Sequence, residues 1–352
     1  MLIAILIGLA VLSVILFAHE LGHFITAKAS GIFVEEFGMG FPPRIFSFKW
    51  GETRFSLNAI PFGGFNKIAG EEDPSVPRSL ASKRIGTRLL VISAGSLMNF
   101  LLALLLFSVV FMIPREVLVG QVVVEDVSPG SPAAVAGIIP GDTILSVDEK
   151  AVKNNSEVGQ YIQYSLGKEI TLLVQHSDST TENIQVVPRW NPPEGQGAIG
   201  VEIRTANATV ITQSDPFWRA VPLGASKMLT YLVLYKDGLA GIFSGEAEAS
   251  FFGPVGIAQL TGEVASFGIR PLLDLAALFS LLLGIFNLLP IPAADGGRIS
   301  FVLLEWVRRG KRIPPRVEGA IHMVGFALLM LFLLALTYQD ILRVIRGESI
   351  LP

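Results

Sequence analysis

The chain of 352 residues contains no cysteine and only four histidines. The absence of cysteine excludes disulfide bonds, thiolate catalysis and every zinc site that depends on cysteine ligands. Any metal ion that this protein binds must therefore be held by histidine, aspartate or glutamate.

Charged residues are also scarce, at 16% of the chain, whereas hydrophobic residues make up 51% and the mean hydropathy is +0.57. A soluble protein of ordinary composition has more charge and less apolar surface, so this balance indicates a protein of the lipid bilayer. The formal net charge is −3, and the chain has no basic excess of the kind that binds nucleic acid.

Four apolar runs are long enough to span a membrane, which takes about 20 apolar residues. They are Leu2–Ala27, Leu89–Ile113, Leu275–Ala294 and the segment between Glu318 and Asp340. The first run lacks the basic start and the small-residue cleavage site of a signal peptide, so we expect it to remain as a span.

Basic residues in short loops predict the orientation of these spans. Nine lie between residues 28 and 88, in the loop that joins the first two spans, and six lie between residues 298 and 316, in the loop that joins the last two. We expect both loops in the cytoplasm. The two termini and the long segment 114–270 then lie outside the cytoplasm.

The first span contains an unusual polar cluster, FAHELGHFI at residues 17–25. His19 and His23 share one face of a helix because they are four residues apart, so both can bind one metal ion. Glu20 flanks that position and can act as a general base toward a water molecule. A polar patch that only pairs helices is the alternative, but three such groups are costly inside a membrane.

Asp295 is the best candidate for a third ligand. Counting about 17 residues from the outer end of the first span places His19 roughly 26 Å into the bilayer. Asp295 follows the outer end of the third span by about 20 residues, beyond the prolines at 290 and 292, and so lies at a similar depth. Zinc is suited to two imidazoles and one carboxylate in a catalytic site.

The segment NLLPIPAADGGR, residues 287–298, cannot form a regular helix because it contains two prolines and two glycines. Irregular backbone at membrane depth is tolerated where it is buried in protein or lines a cavity. Here it would line the metal site. Asn287 could bind the substrate backbone or a developing oxyanion, or it could only cap the helix that the prolines end.

With these residues the sequence resembles the site-2 intramembrane zinc metalloproteases, peptidase family M50, and is similar to the bacterial regulator-of-sigma-E proteases. The motifs are HELGH at 19–23 and N-x-x-P-x-P-x-x-D-G-G at 287–297, with AGSLMNF at 94–100. Two positions depart from the family pattern. These are Ala294, where leucine is usual, and Ser96, where proline is usual.

The resemblance implies a polytopic α-helical membrane protein. Its core of four transmembrane helices would carry a re-entrant β-hairpin on the cytoplasmic side and an inserted extracytoplasmic α+β PDZ domain. The family implies one Zn²⁺ per chain, bound by His19, His23 and Asp295, with Glu20 as catalytic acid and base and Asn287 as a catalytic contact. The implied location is the bacterial plasma membrane, as a multi-pass protein with both termini and the PDZ domain outside.

The hairpin is predicted at about residues 31–70, within a transmembrane core that comprises residues 1–113 and 271–352. Its strands, RIFSFKW and TRFSLNAI, alternate in polarity and flank a turn. An unwound substrate could add to this hairpin as a further strand, with Gly63 and Gly64 in contact with it. A small structural sheet is the alternative.

Residues 117–205 resemble a PDZ domain of the circularly permuted bacterial type, and residues 206–270 are expected to be an amphipathic linker on the outer membrane surface. Ile199 and Gly200 would lie beside the groove that captures a chain end by β-addition. The groove could also exclude bulky substrates or stay empty. His176, in the polar turn VQHSDSTT, is expected to be an ordinary surface residue.

The implied reaction is hydrolysis of peptide bonds within or near the transmembrane segment of single-pass membrane proteins, such as anti-sigma factors or remnant signal peptides. This is the second cut of regulated intramembrane proteolysis, so a site-1 protease would act first on the same substrate. The expected partners are these substrates, the lipid bilayer and a chain-end peptide, but no nucleic acid. The alternative function is a non-catalytic PDZ membrane adaptor. An ion transporter is disfavoured because polar residues occupy only one depth.

Overall fold

The computed structural model describes residues 2–71, 73–245 and 251–346. In chain order the helices are α1 (Leu2–Ala29), α2 (Ile85–Met112), α3 (Pro132–Val135), α4 (Asn155–Gln163), α5 (Phe217–Ser244), α6 (Pro254–Ser266), α7 (Ile269–Leu288), α8 (Asp295–Val307) and α9 (Pro315–Arg346). The strands are β1 (Val34–Trp50), β2 (Thr53–Ile68), β3 (Arg115–Val127), β4 (Thr143–Val147), β5 (Lys150–Ala151), β6 (Ile170–Gln175), β7 (Thr181–Val186) and β8 (Val201–Gln213). These elements form two compact units. The first contains the residues up to Val110 and those from Phe251 onward, and the second is Phe111–Ser250.

Within the described residues, four helices are long and apolar enough to cross a bilayer, namely α1, α2, α7 and α9. The prediction of four spans is confirmed in this sense. The third of these spans, α7, differs from its predicted range of Leu275–Ala294. It covers Ile269–Leu288 instead. It ends early because Pro290 and Pro292 have no N–H to continue the helical hydrogen bonds.

The first unit also contains the predicted hairpin, in which β1 and β2 pair antiparallel and the turn is closed by Trp50 opposite Thr53. Residues two apart share one face of a strand. Phe46, Phe48 and Trp50 therefore form an aromatic row at the far end of the hairpin, and all three are more than half exposed. The apolar end of the hairpin is thus available to a non-aqueous environment.

The second unit is built on an antiparallel sheet with the strand order β7-β6-β4-β3-β8. The short strand β5 also pairs with β4. Alternate residues of β6, namely Ile170, Leu172 and Val174, are at most 1% exposed and belong to its core. Ser131 caps α3 and Asn154 caps α4 with side-chain oxygens. Residues 117–205 are therefore built of both strands and short helices.

One strand of this sheet extends beyond residues 117–205, the range predicted for the PDZ domain. Strand β8 begins at Val201, directly after Gly200, whose φ is +76°, and it continues to Gln213. Pairing with β3 as far as Arg115 opposite Gln213 supports the extension. Part of the predicted linker is therefore sheet, and the remainder includes α5 in this unit and α6 in the other.

His176 is not the plain surface residue that was predicted. Its Nδ1 lies 2.8 Å from Asp142 Oδ1, and its Nε2 lies 3.4 Å from Glu182 Oε2. Asp142 is 1% exposed, and its other oxygen accepts a hydrogen bond from the Ile139 N–H at 3.0 Å. The hydrogen bond with Asp142 raises the pKa of His176 above its ordinary value.

A pH-dependent contribution to stability follows from this pair. A raised histidine pKa stabilises the folded state below the unfolded pKa of about 6.5, and the stabilisation is lost as the pH rises through the folded pKa. The His176→Gln variant should therefore open more readily than the parent at about pH 5, and the difference should vanish at about pH 9. Hydrogen exchange of the Ile139 amide in the full-length protein, compared between variant and parent at each pH, measures this. An equal difference at both pH values would contradict the assignment.

Candidate metal centre

Two histidines on α1 form one side of the site. His19 and His23 are 7% and 8% exposed, and their Nε2 atoms are 3.1 Å apart. The spacing of four residues places both imidazoles on one face of the helix, as the sequence predicted. Their rings meet edge to face with centroids 4.8 Å apart.

Asp295 completes the group from a segment more than 270 residues later. It is the first residue of α8, and its Oδ2 lies 3.1 Å from His19 Nε2 and 3.1 Å from His23 Nε2. The structure thus brings the carboxylate of the proline-broken segment to the imidazole pair. Within the described residues this is the group of His, Asp and Glu side chains that could hold a metal ion.

The geometry of this group fits a zinc ion. A tetrahedral site with bonds of about 2.0–2.1 Å separates its ligand atoms by about 3.3 Å, and here the three atoms form a triangle with edges of 3.1 Å. Asp295 Oδ2 is buried, yet no donor in the described part of the chain hydrogen-bonds to it. A buried acceptor between two ring nitrogens is the environment that a cation satisfies.

Small residues on α1 and α2 allow the site to be compact. A side chain at Gly22 would overlap the backbone of Ala94, and a Cβ at Gly95 would overlap both imidazoles. Glycine at position 22 thus lets the backbone of α2 approach α1 closely. Helix α2 therefore forms the floor of the site although it contributes none of the three ligating atoms.

The break between α7 and α8 positions Asp295. Ala293 has a φ of +75°, which is unfavourable for a residue with a side chain, and its N–H donates to His322 Nδ1 on α9 at 2.9 Å. A Cβ at Gly297 would lie 2.6 Å from Ile291 O and 3.1 Å from His322 Cε1. His322 thus accepts a hydrogen bond from the loop that precedes Asp295.

Glu20 lies beside the group and is held by the hairpin. Asn66 on β2 donates through Nδ2 to Glu20 Oε2 at 2.9 Å and to the Glu20 carbonyl at 2.5 Å. A Cβ at Gly64 would lie 3.1 Å from Glu20 Cγ, so a larger residue would crowd the carboxylate. Sequence reasoning missed Asn66, because β2 contains several other polar residues and nothing in the sequence distinguishes this one.

A cavity of about 200 Å³ contains these side chains. Besides the three candidate ligands, it is lined by Glu20, Gly64, Phe65, Asn66, Glu71 and Arg298, among others. Arg298, one turn after Asp295, forms an ion pair with Glu71 at 2.7 Å. The cavity is therefore polar at its centre and bordered by the hairpin and the start of α8.

A buried ion network fixes the far end of α8 to α2. Glu305 accepts from Arg88 at 2.6 Å and from Arg312 at 3.1 Å. Burial raises the pKa of Glu305, but the hydrogen bonds from Arg88 and then Arg312 outweigh burial and hold that pKa below its ordinary value. With its last turns tied to α2, the helix can present Asp295 in a fixed position.

Asn287 is not placed in this cavity. It is half-buried in the last turn of α7, and it is not among the residues that line the cavity. Gly64 does line the cavity, while its neighbour Gly63 has a φ of +83° in the same strand. Substrate contacts by Asn287, Gly63 and Gly64 stay predictions.

Ile199 and Gly200, the two residues predicted to lie beside the peptide groove, pack and hydrogen-bond within the second unit itself. The Ile199 side chain is 2% exposed and belongs to the core, and its carbonyl accepts from the Ala133 N–H at 3.0 Å. The Gly200 N–H donates to Gly197 O at 3.0 Å, and its carbonyl accepts from the Ser128 N–H at 2.9 Å. A role for Ile199 and Gly200 in peptide binding stays a prediction.

The fold and the donor set define a class of protein, a multi-pass membrane protein with a buried group of two histidines and one carboxylate that could hold a metal ion. Comparison with known sequences makes the class definite, because the description "Peptidase family M50" matches residues 7–332. The chain belongs to peptidase family M50, the family of site-2 proteases, and is a zinc metalloprotease.

Similar proteins agree in name and length. A Clostridium perfringens protein named as a candidate zinc metalloprotease is 34% identical over 96% of this chain and 98% of its own. The zinc metalloprotease RasP of Geobacillus kaustophilus is 28% identical over 95% of this chain and 96% of its own. Among solved structures, the PDZ domain of an SdrC-like protein from Listeria innocua is 24% identical. It covers 24% of this chain and 92% of its own, with a TM-score of 0.21.

Two glycines on α2 give a matched test of the site. A methyl group at Gly95 would displace both imidazoles, whereas nothing lies within 4 Å of a Cβ at Gly86. Gly95→Ala should therefore weaken zinc binding by at least about tenfold, and Gly86→Ala should leave it unchanged. Zinc content after equilibration with a chelator, measured by mass spectrometry, gives the comparison. Parental zinc affinity in Gly95→Ala would show that the imidazoles do not bind the ion as a pair.

Proposed function

We propose that His19, His23 and Asp295 hold one zinc ion per chain and that Glu20 is the general acid and base of an intramembrane endopeptidase. The observation that carries this proposal is the 3.1 Å triangle of two imidazole nitrogens and one carboxylate oxygen. Its substrates are single-pass membrane proteins cut within or near their transmembrane segments. Anti-sigma factors and remnant signal peptides have this form.

When bound, zinc supplies an electrophile that polarises the scissile carbonyl and makes water more acidic. Glu20 performs the proton transfers. Its Oε2 accepts from Asn66, so Oε1 is the oxygen that takes a proton from water as the water oxygen attacks the carbonyl carbon. The same proton then passes to the amide nitrogen as the C–N bond breaks, which yields a carboxylic acid and an amine.

The hairpin supports a way to present the substrate. A peptide bond inside a helix is shielded, so the substrate must be extended before hydrolysis. In the described residues β1 and β2 pair only with each other, and the stretch of β2 at Gly64 lies against Glu20. A substrate strand that adds to the hairpin beside Gly63 and Gly64 would bring its carbonyl to the cavity.

The placement in the membrane follows the basic loops. We assign the protein to the bacterial plasma membrane with the hairpin at the cytoplasmic side, dipping into the bilayer, and with both termini and the second unit outside. The exposed aromatic row at Phe46, Phe48 and Trp50 supports contact between the hairpin and lipid.

The second unit is proposed to be a PDZ domain. Its edge strand β8 has α4 as a neighbour, an arrangement that suits a chain-end peptide added along the strand. Such a chain end arises when an upstream site-1 protease trims the substrate. A non-catalytic adaptor is the competing function, and the buried acceptor of Asp295 disfavours it because a scaffold needs no such group.

Replacement of the Glu20 carboxylate distinguishes the endopeptidase from the non-catalytic adaptor. Glu20→Gln should lower cleavage of a labelled single-span peptide by at least about 100-fold, since the general base is lost. Zinc content should stay at the parental level. Glu35→Gln, an exposed glutamate of the hairpin paired with Lys67, is the matched control and should cleave at the parental rate. Equal cleavage by Glu20→Gln and the parent would assign the activity to a contaminating protease.

A further inference from the structure

A metal-binding imidazole needs a partner for its second nitrogen. When Nε2 binds the ion through its lone pair, Nδ1 carries the hydrogen and must donate it to an acceptor. His23 satisfies this rule, because its Nδ1 lies 2.8 Å from the carbonyl oxygen of Val91 on α2. A carbonyl can only accept, so the contact fixes the tautomer of His23 that leaves Nε2 free for metal.

His19 faces a side-chain amide, which contains both a hydrogen-bond donor and an acceptor. Its Nδ1 lies 3.3 Å from the side-chain amide nitrogen of Asn99, also on α2, and Asn99 is fully buried. An amide nitrogen can only donate, so in this contact Nδ1 accepts and the hydrogen of His19 sits on Nε2. That tautomer turns a hydrogen, not a lone pair, toward Asp295.

The oxygen of the same amide can supply the acceptor that His19 Nδ1 needs when Nε2 binds the metal ion. Asn99 Oδ1 is buried, and within the described residues it has no hydrogen-bond partner. Amide oxygen and nitrogen are nearly equal in size, so half a turn of the amide group exchanges them without a change in packing. After this rotation Oδ1 faces His19 Nδ1 and can accept its hydrogen.

We propose that Asn99 is a positioning residue of the metal centre, whose side-chain oxygen accepts the Nδ1 hydrogen of His19 when zinc is bound. This inference rests on the proposed zinc site. Helix α2 would then supply the acceptors for both imidazoles, the carbonyl of Val91 and the amide of Asn99, without supplying a ligand. The two ring orientations are set by one rigid element.

The position of Asn99 is itself secured from the opposite side. The Ser280 hydroxyl on α7 donates to the Asn99 carbonyl at 2.8 Å, and both residues are fully buried. A Cβ at Gly284, one turn further along α7, would lie 3.2 Å from Ser96 O. The backbone of Asn99 is therefore packed against α7, and rotation is confined to its side-chain amide.

Two substitutions distinguish an acceptor from a donor at this position. Asn99→Leu removes both groups and should weaken zinc binding by about 10–100-fold. Asn99→Asp presents acceptor oxygens only and should keep the affinity within about tenfold of the parent. If the amide acted through its nitrogen, Asn99→Asp would be as weak as Asn99→Leu. A merely structural amide would change stability instead of zinc affinity.

The experiment measures zinc affinity of the full-length protein by chelator competition, with the melting temperature of the zinc-free protein recorded for each variant. Ser108→Ala is the matched control, because Ser108 is a buried α2 residue whose hydroxyl donates to Leu104 O in the same helix. It should bind zinc like the parent. The expected result is a loss for Asn99→Leu that is rescued in Asn99→Asp.

Other results overturn the proposal. Parental affinity in Asn99→Leu does so, and so does a loss in Asn99→Asp that equals the loss in Asn99→Leu. If Asn99→Leu fails to fold, the affinity of Asn99→Asp alone decides. A His19→Ala variant is measured in parallel. Zinc binding that survives His19→Ala refutes the proposed zinc site, whereas a loss there with parental affinity in Asn99→Leu refutes only the role of Asn99.

Discussion

The core of the structure depends on how three ionisable side chains are stabilised when they are buried away from water. His19, His23 and Asp295 are brought within 3.1 Å of one another, and such an arrangement is unfavourable unless a cation balances the desolvated carboxylate and uses the imidazole lone pairs. The zinc ion that we propose would bind all three at once. In this proposal the same ion supplies the catalytic chemistry, so the stability and the function of the core would have one origin.

The surrounding helices and the hairpin restrict the positions of these side chains. Helix α2 approaches α1 closely because glycine occupies positions 22 and 95, and its Val91 carbonyl accepts a hydrogen bond from His23. The loop before Asp295 is held by His322 and α8 is anchored by Glu305. The hairpin reaches Glu20 through Asn66. A metal centre assembled from distant segments requires this support, because a small displacement of one ligand weakens binding.

The sequence was sufficient for features that depend on local spacing. The i,i+4 histidines, the long apolar helices, the hairpin and the proline break could all be predicted, because each follows from residues near one another in the chain. Contacts between distant segments could not. Asn66 and Asn99 are single polar residues whose partners lie on another element, and His322 became informative only when Ala293 was seen to adopt a positive φ. The contact of His176 with the buried Asp142 was missed for the same reason.

The most direct test of the account is X-ray absorption at the zinc edge, recorded on the purified parent and on Asp295→Ala. The account predicts nitrogen and oxygen neighbours at about 2.0–2.2 Å with outer scattering from two imidazoles. It also predicts a changed first shell or lost zinc in Asp295→Ala. A parent without zinc, or an identical spectrum and zinc content in the variant, would contradict the claim that this carboxylate and the two histidines share one ion.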